Sequence, residues 1–248
     1  GHSIDDASDG LDDVPNTAQP NNSFNTRAER GRSSFDTRHR FSWLFNYEFP
    51  KATRAKWLLS GWAMDGAFSY SSGQPFTVSY IANFCCDFDG MGEFFGRPDL
   101  VGDPFAGTNG PGQYLNLNAF AVPCTYDGAL GCTGNQHPGS SPRNAFNGPS
   151  FHNFDFSVSK TMPIGDRVKM QFRVDAFNIF NHPNFTNPLL PNFFVDFTAN
   201  GINSTPGPSF GHGNGFLPLT ATPDVGIGNP FLGGGGPRNL QLGLKLTF

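Results

Sequence analysis

The stretch from Leu240 to Phe248 reads Leu-Gln-Leu-Gly-Leu-Lys-Leu-Thr-Phe. Its even-numbered residues are all apolar, and its odd-numbered residues are polar or glycine. A period of two over such a length is typical of a β-strand with one apolar face and one polar face. The sequence therefore predicts a strand at the end of the chain, and this strand needs partners with the same pattern.

Four further stretches show the same alternation. At 40–49 aromatic side chains fill the apolar register, and Leu44 is the one apolar residue in the polar register. The stretches 61–70, 154–159 and 167–176 alternate in the same way. Residues 2–4 fit the tail of one more strand. About six strands are therefore predicted in all.

The connections between these strands alternate in length. Those at 49–56 and 162–166 are short, and the second contains the proline and glycine of a hairpin turn. Those at 5–35, 71–150 and 181–237 are long. Barrels of the outer membrane have short periplasmic turns and long outer loops, whereas a soluble β-sandwich has no reason to sort its loops in this way. We therefore predict an all-β protein, in which residues 1–248 are a single segment. The segment is an antiparallel meander that forms the C-terminal part of a transmembrane β-barrel, with these three connections as long outer loops.

The composition narrows the class of protein. Glycine and proline account for 31 and 21 of the 248 residues, so long helices are disfavoured. Charged residues make up 15% and the net charge is −4, which provides no basic surface for nucleic acid. No apolar run of the sequence is long enough for a membrane-spanning helix. The 28 phenylalanines argue against disorder, because disordered chains are poor in aromatic residues.

The alternation also assigns each side chain of the strands to a face. In a barrel wall the polar register lines the lumen and the apolar register meets lipid. The predicted lumen-facing residues are Arg40, Asn46, Asp65, Asp155, Lys169, Gln171, Arg173, Asp175, Gln241 and Lys245. The predicted lipid-facing residues are Phe41, Trp43, Phe45, Tyr47, Phe154, Phe156, Phe172, Leu242, Leu244 and Leu246.

All four cysteines, Cys85, Cys86, Cys124 and Cys132, lie in the longest connection. Their spacing lacks the paired-ligand pattern of a zinc site. An even number of thiols in one exposed loop favours disulfides formed in an oxidising compartment. Adjacent cysteines are awkward to join to each other, so Cys85 and Cys86 are each expected to pair with Cys124 or Cys132, or one of them stays free. We expect at least one disulfide in this loop, in which Cys124 pairs with Cys85, Cys86 or Cys132.

The candidates for a metal or catalytic site are weak. Five aspartates surround Gly10, but they do not match the ligand pattern of an EF-hand, so a solvated acidic loop is favoured over a calcium site. The six histidines are scattered. Asp65, Asp155 and Asp175 could serve as glycosidase carboxylates, but beside Arg173 on a polar face they are better explained by salt bridges. We therefore expect no enzymatic activity, no metal and no cofactor.

Several short words of the sequence also resemble a known family, and they span nearly the whole chain in the family's order. The words are Phe35-Asp36, Arg38-His39-Arg40-Phe41, Ser72-Gly73-Gln74-Pro75-Phe76, Arg97-Pro98-Asp99, Arg143-Asn144, Gly148-Pro149, Asp155 with Ser157 and Lys160, the run from Phe172 to Phe185, and Pro237-Arg238 with Phe248. On these residues the chain resembles the C-terminal part of the barrel of TonB-dependent outer-membrane receptors. The resemblance is greatest to the Oar-like subgroup, whose plug is preceded by a carboxypeptidase-regulatory-like domain.

The resemblance implies a location, a function and partners. It implies a plugged barrel of about 22 strands in the bacterial outer membrane, which imports a scarce ligand with energy relayed from the inner membrane. The implied partners are the lipid bilayer, the plug domain of the same full-length protein and, through it, TonB, the barrel-assembly machinery and an unknown imported ligand. Phe248 resembles the assembly signal that this machinery reads. The alternative is a secreted soluble β-protein that binds carbohydrate or a surface partner through its long loops.

The start of the chain bears on how much of such a receptor is present. It reads Gly1-His2-Ser3-Ile4, without an initiator methionine, a positively charged segment or an apolar leader. The sequence contains no recognisable plug and no TonB box. We therefore expect a fragment or a processed product, and we expect that six strands alone do not close a barrel of this size.

Overall fold

The computed structural model describes residues 2–6, 20–82, 89–91, 95–126, 132–165, 167–188, 192–196, 203–206, 215–221 and 236–248. Strands dominate these residues, and the helical segments among them are the turn Lys56–Leu59 and the 3₁₀ turns Thr26–Glu29, Pro111–Gln113 and Leu117–Ala119. No helix in this part of the chain is long and apolar enough to cross a membrane. The predicted all-β class is confirmed.

The chain divides into two compact units. The sheet unit comprises His39–Ser72, Ser150–Asn184 and Phe231–Phe248, and it contains the long alternating strands. The loop unit comprises Gly1–Arg38, Gly73–Pro149 and Phe185–Pro230, and it contains the long connections.

The sheet unit is an antiparallel meander of five strands. They are β1 (Arg40–Glu48), β2 (Trp62–Ser71), β3 (Phe151–Ile164), β4 (Val168–Phe177) and β5 (Asn239–Thr247). Each strand pairs with the next in chain order, and every pair is antiparallel. The predicted meander is therefore confirmed for these five strands. Among the described residues no strand pairs with the outer edge of β1 or of β5.

The connections sort to the two ends of this sheet. Arg40, Ser71 and Phe151 lie opposite one another, and Phe177 lies opposite Asn239 at the same end. The long connections enter and leave the sheet there. The other end carries the β1–β2 turn and the β3–β4 hairpin. The separation of short from long connections that the sequence predicts is thus present in the sheet unit.

The β3–β4 hairpin turns later than its sequence suggests. The prediction places the turn at 162–166, but Met162 and Pro163 belong to β3 and pair with β4. Beyond Lys160 strand β3 has no β2 neighbour. A strand edge tolerates proline, because the missing N–H has no partner to lose there. The turn itself is made by Gly165, whose φ is +70°.

The loop unit consists of short strands around a core of its own. The antiparallel pairs are Ile4–Asp5 with Gly31–Arg32, Pro75–Phe76 with Phe146–Asn147, Ser79–Ala82 with Phe95–Gly96, Asp99–Leu100 with Phe120–Ala121, Leu115–Asn116 with Phe216–Leu217, Thr125–Tyr126 with Cys132–Gly134, Phe185–Thr186 with Thr220–Ala221, and Asn192–Asp196 with Asn203–Pro206. The buried apolar core comprises Phe76, Val78, Tyr80, Leu115, Leu117, Ala119, Phe120, Val122, Phe146 and Leu217. Apart from residues 2–4, the sequence predicts only loops here, because strands of two to five residues are too short to show a clear alternation.

Two pairings depart from the predicted meander, and both lie in the loop unit. Ile4–Asp5 pairs with Gly31–Arg32, so residues 2–4 do not supply a sixth meander strand. Ser79–Ala82 pairs in parallel with Asn192–Asp196. A parallel pair needs a long crossover, and the chain between these two strands is long enough to provide one.

The connection 73–149 closes on itself within the loop unit. Pro75–Phe76 pairs with Phe146–Asn147 close to its two ends. A Cβ on Gly73 would lie 1.8 Å from the carbonyl oxygen of Gly148, so only glycine permits this approach of the two backbones. The first and last residues of the connection are therefore neighbours.

Candidate functional site

The register of the sheet places the predicted lumen-facing residues on one face, hereafter the polar face. A row across all five strands runs through Asn46, Asp65, Ser157, Asp175 and Gln241. Because side chains alternate along each strand, residues two apart share a face. On this basis the polar face carries all ten predicted residues: Arg40, Asn46, Asp65, Asp155, Lys169, Gln171, Arg173, Asp175, Gln241 and Lys245.

Asp65 is the centre of the hydrogen bonds on the polar face. Asn46 donates its side-chain amide to one carboxylate oxygen of Asp65, and Ser157 donates its hydroxyl to the other at 3.2 Å. Arg173 and Asp175 form an ion pair along β4, with Nε 2.6 Å from a carboxylate oxygen. Side-chain bonds across β1, β2 and β3 therefore reinforce the backbone register.

Asp155 acts at the end of the sheet. One of its carboxylate oxygens accepts hydrogen bonds from the side chain of Asn153 at 3.0 Å and from the backbone N–H of Asn178 at 2.9 Å. Asn178 has a φ of +46°, a left-handed conformation that asparagine tolerates better than most residues. Its side chain accepts from the N–H of His182 and donates to the carbonyl of the same residue. Asp155 thus fixes the turn that follows β4.

Three asparagines, Asn178, Asn181 and Asn184, form what we call the asparagine clasp. Asn178 also donates to the carbonyl of Gly236 at 2.9 Å, and Asn181 accepts from the N–H of Arg238 at 3.1 Å. Asn184 exchanges two hydrogen bonds with the backbone of His152, at 2.9 and 2.8 Å. The strand alternation gives no sign of these residues. The signal in the sequence is the repeated asparagine directly after a strand.

The opposite face of the sheet, hereafter the apolar face, consists mainly of apolar side chains, which are mostly exposed on β1 and β5 and half-buried on β2 and β3. All ten predicted lipid-facing residues lie on it: Phe41, Trp43, Phe45, Tyr47, Phe154, Phe156, Phe172, Leu242, Leu244 and Leu246. Leu242 has 69% of its surface exposed. The ring of Phe45 lies across Gly66, where a Cβ would be 2.0 Å from the ring. A sheet face that leaves this much apolar surface exposed is typical of a surface that meets lipid.

His152 and Lys160 interrupt the apolar face. The His152 ring packs against the rings of Tyr70 and His182, with centroids 5.1 and 4.9 Å away. Lys160 is only 6% exposed, although a lysine on a lipid-facing surface is costly. Its ammonium donates to two backbone carbonyls of the β1–β2 turn. The turn therefore shields this charge.

A buried ion pair connects distant segments of the loop unit. The buried carboxylate of Glu29 binds both terminal nitrogens of the Arg97 guanidinium, and it accepts the backbone N–H of Asn21 at 3.0 Å. The Nε of Arg143 donates to the backbone carbonyl of Glu29 at 2.7 Å, and the same guanidinium pairs with the carboxylate of Asp5. Arg97 and Arg143, which belong to two of the family-like sequence motifs, thus both bind Glu29.

Two further charged groups of the loop unit have shifted pKa values. Burial raises the pKa of Asp36, but hydrogen bonds from Arg32 and from a backbone N–H outweigh burial, so the pKa lies below 3.8. The pKa of His137 is raised above 6.5 by its bond to the Asn135 carbonyl and by the carboxylate of Asp99, against a smaller opposing effect of burial. Asp36 therefore stabilises the loop unit above its pKa, and His137 does so below its pKa.

One of the cysteine pairings that the sequence leaves open is present. Cys124 and Cys132 form a disulfide, with their Cα atoms 5.7 Å apart, and both pack against the core of the loop unit. Cys85 and Cys86 lie outside the described residues. So do three aspartates of the acidic cluster, Asp9, Asp12 and Asp13. In the part of the chain that is described, no group of three or more His, Cys, Asp or Glu side chains could hold a metal ion.

Phe248 follows directly after β5. It is 91% exposed and therefore accessible to another protein. Its role as an assembly signal stays a prediction.

The architecture defines a class of protein. An antiparallel meander with an exposed apolar face, a hydrogen-bonded polar face and its long connections at one end is the wall of a transmembrane β-barrel. A family sequence model described as "Outer membrane beta barrel domain" matches residues 1–214, which is most of the chain. The chain therefore belongs to this family, and it resides in the bacterial outer membrane. No curated protein and no solved structure matches the chain.

Proposed function

We propose that the chain is part of the barrel of a TonB-dependent receptor of the Oar-like subgroup, which takes up a ligand across the outer membrane. The polar face is the observation that carries this proposal. Its central row consists of Asn46, Asp65, Ser157, Asp175 and Gln241, which are hydrogen-bonding side chains with few full charges. Such a surface suits contact with a folded plug domain, because amides and hydroxyls can pair with the plug's own polar groups.

The long connections supply a second support. They leave the sheet at one end, which in an outer-membrane barrel is the end facing the exterior. Ligands are commonly bound by loops that a rigid scaffold positions. The core around Tyr80 and Leu115 and the buried Glu29–Arg97 pair give the described parts of these connections a fixed shape. A fixed outer surface suits a receptor that selects a scarce ligand.

The proposal also covers partners and chemistry. The apolar face would contact the lipid bilayer, the plug would transmit energy from TonB, and the barrel-assembly machinery would insert the protein. We propose no nucleic-acid partner, no cofactor and no catalytic activity for this chain. The imported ligand is a molecule that the loop unit recognises.

Crosslinking in cells tests the proposal. A photo-crosslinking amino acid at Gln241 on the polar face should attach to plug peptides of the same full-length protein, as identified by mass spectrometry. The same amino acid at neighbouring Leu242, on the apolar face, is the matched control and should attach to lipid only. The full-length protein should also bind the purified periplasmic domain of TonB. Absence of plug peptides at Gln241, or of TonB binding, would contradict the receptor proposal.

A further inference from the structure

The β1–β2 turn, residues 49–61 and hereafter the interfacial turn, has an unusual combination of side chains. It contains three cations, Lys51, Arg54 and Lys56, and no acidic residue. All three cations are exposed. Next to them stand Trp57, Leu58 and Leu59, which are also exposed, Trp57 to 75%. The turn therefore exposes three apolar side chains next to three cationic ones.

Hydrogen bonds within the turn hold these apolar residues in their exposed positions. The N–H groups of Leu58 and Leu59 both donate to the carbonyl of Ala55, at 2.9 and 3.0 Å. The N–H of Ala52 donates to the hydroxyl of Ser60 at 2.9 Å. Ala55 itself has a φ of +45°, a conformation that costs alanine energy. The structure thus holds Trp57, Leu58 and Leu59 outward at some expense.

The interfacial turn is attached to the apolar face of the sheet. Trp62, on that face, donates its indole N–H to the carbonyl of Leu58 at 2.8 Å. Lys160, on the same face, donates its ammonium to the carbonyls of Leu58 and Ser60, each at 2.6 Å. The ammonium also lies 4.9 Å from the centroid of the Trp62 ring. These bonds bring the turn over the lipid side of the wall.

The position of the turn identifies the leaflet. Short turns of outer-membrane barrels lie at the periplasmic surface. The lipid at that surface is phospholipid, part of it anionic. Tryptophan prefers the level of the headgroups, and lysine and arginine near a bilayer are attracted to anionic lipid. The apolar side chains and the cations of the turn therefore both favour binding to anionic phospholipid.

We propose that the interfacial turn binds the headgroups of anionic phospholipids, such as phosphatidylglycerol, at the periplasmic surface of the outer membrane. Lys51, Arg54 and Lys56 bind the phosphate, and Trp57, Leu58 and Leu59 enter the region between headgroups and acyl chains. Lys160 and Trp62 hold the turn in place. This lipid site depends on the membrane location of the barrel wall and not on the receptor function proposed above.

Fluorescence of the full protein in lipid vesicles tests this site. The emission of Trp57 is obtained as the difference between the wild type and Trp57→Phe. With about 10 mol% of brominated lipid in phosphatidylcholine, we expect quenching by brominated phosphatidylglycerol to exceed quenching by brominated phosphatidylcholine by about twofold or more. The triple variant Lys51→Gln, Arg54→Gln, Lys56→Gln should abolish this preference and leave the heat-modifiable migration of the folded barrel unchanged.

A matched control removes three cations at the same end of the sheet but outside the turn. It is Arg167→Gln, Lys169→Gln, Lys245→Gln, and it should keep the preference. Equal quenching by the two brominated lipids in the wild type would overturn the proposal, as would an equal loss of preference in the control. Unlabelled phosphatidylglycerol should relieve the quenching of Trp57 by brominated phosphatidylglycerol, and lipid A should relieve it less. Equal relief by the two lipids would overturn the assignment to phospholipid.

Discussion

Two glycines show how closely single residues determine the short turns of the sheet. Gly61 and Gly165 have φ values of +80° and +70°. A Cβ on Gly61 would lie 2.2 Å from the Thr161 carbonyl oxygen, whereas nothing lies within 4 Å of a Cβ on Gly165. Left-handed strain costs alanine about 1–2 kcal/mol at either position, and the clash adds to it only at Gly61. We expect Gly61→Ala to lower the free energy of unfolding in lipid vesicles more than Gly165→Ala. Equal losses in urea titrations would contradict the close contact.

Asp36 provides a pH-dependent prediction at the same level. Its pKa in the folded protein lies below the ordinary 3.8, so its contribution to stability is present above 3.8 and is lost as the pH falls through the lower value. We expect Asp36→Asn to lower the melting temperature at neutral pH, and we expect the difference from the wild type to shrink in acid. The control is Asp103→Asn, because Asp103 is exposed. An Asp36→Asn difference that stays constant from neutral to acid pH would refute the linkage.

At the level of whole strands, β5 separates the two faces by neighbouring residues. Leu242 lies on the apolar face and Gln241 on the polar face. Arginine at a lipid-facing position costs about 2–4 kcal/mol near the bilayer midplane, and it costs little on the polar side. We expect Leu242→Arg to destabilise the protein by that amount in vesicles, and Gln241→Arg to leave the free energy of unfolding nearly unchanged. Similar effects of the two substitutions would be inconsistent with the assigned faces.

The strand pair Thr125–Tyr126 with Cys132–Gly134 depends on the disulfide between Cys124 and Cys132. The cysteines are 8 residues apart, and closing so short a loop stabilises it by about 2 kcal/mol in the chain-entropy view. We expect the double variant Cys124→Ser, Cys132→Ser to be cut faster in this region by a protease. Reductant should remove the difference from the wild type. Identical cleavage rates without reductant would show that the bond does not order the loop.

Long strands and short ones differ in how far the sequence predicts them. β1 to β5 have nine or more residues each, so alternation predicts their existence and which of their side chains share a face. The loop unit is held by strands of two to five residues and by contacts between distant segments, such as Glu29 with Arg97. No local pattern encodes such contacts. Only the family-like words at 97–99 and 143–144 mark them as more than loop.

The candidate sites show the same division. Lys160 stands out in the sequence as a charge in an apolar register, but its partners, the carbonyls of Leu58 and Ser60, are backbone groups that every residue carries. Asp155 is predicted on the polar face, and its bond to the backbone of Asn178 depends on a left-handed turn that the alternation does not describe.

For the molecule as a whole, we predict that assembly into the membrane depends on the end of β5. Phe248 is exposed beyond that strand and resembles the signal that the assembly machinery reads. We expect deletion of Phe248 from the full-length protein to reduce its amount in the outer membrane, as measured by immunoblot of the membrane fraction. Phe248→Tyr should preserve the amount, because it keeps an aromatic ring at this position. An undiminished membrane level after the deletion would count against the assembly role.

The closed ends of the connection 73–149 affect how quickly the barrel wall can form. Strands β2 and β3 are neighbours in the sheet but far apart in sequence, and bringing the ends of so long a flexible chain together costs about 4 kcal/mol of entropy. Gly73 and Gly148 touch in the folded connection, so a connection that folds first has already lost that entropy when β2 meets β3. The distant strands then approach each other as if joined by a tight hairpin. An insertion that lengthens the chain thus need not slow the zippering of the sheet.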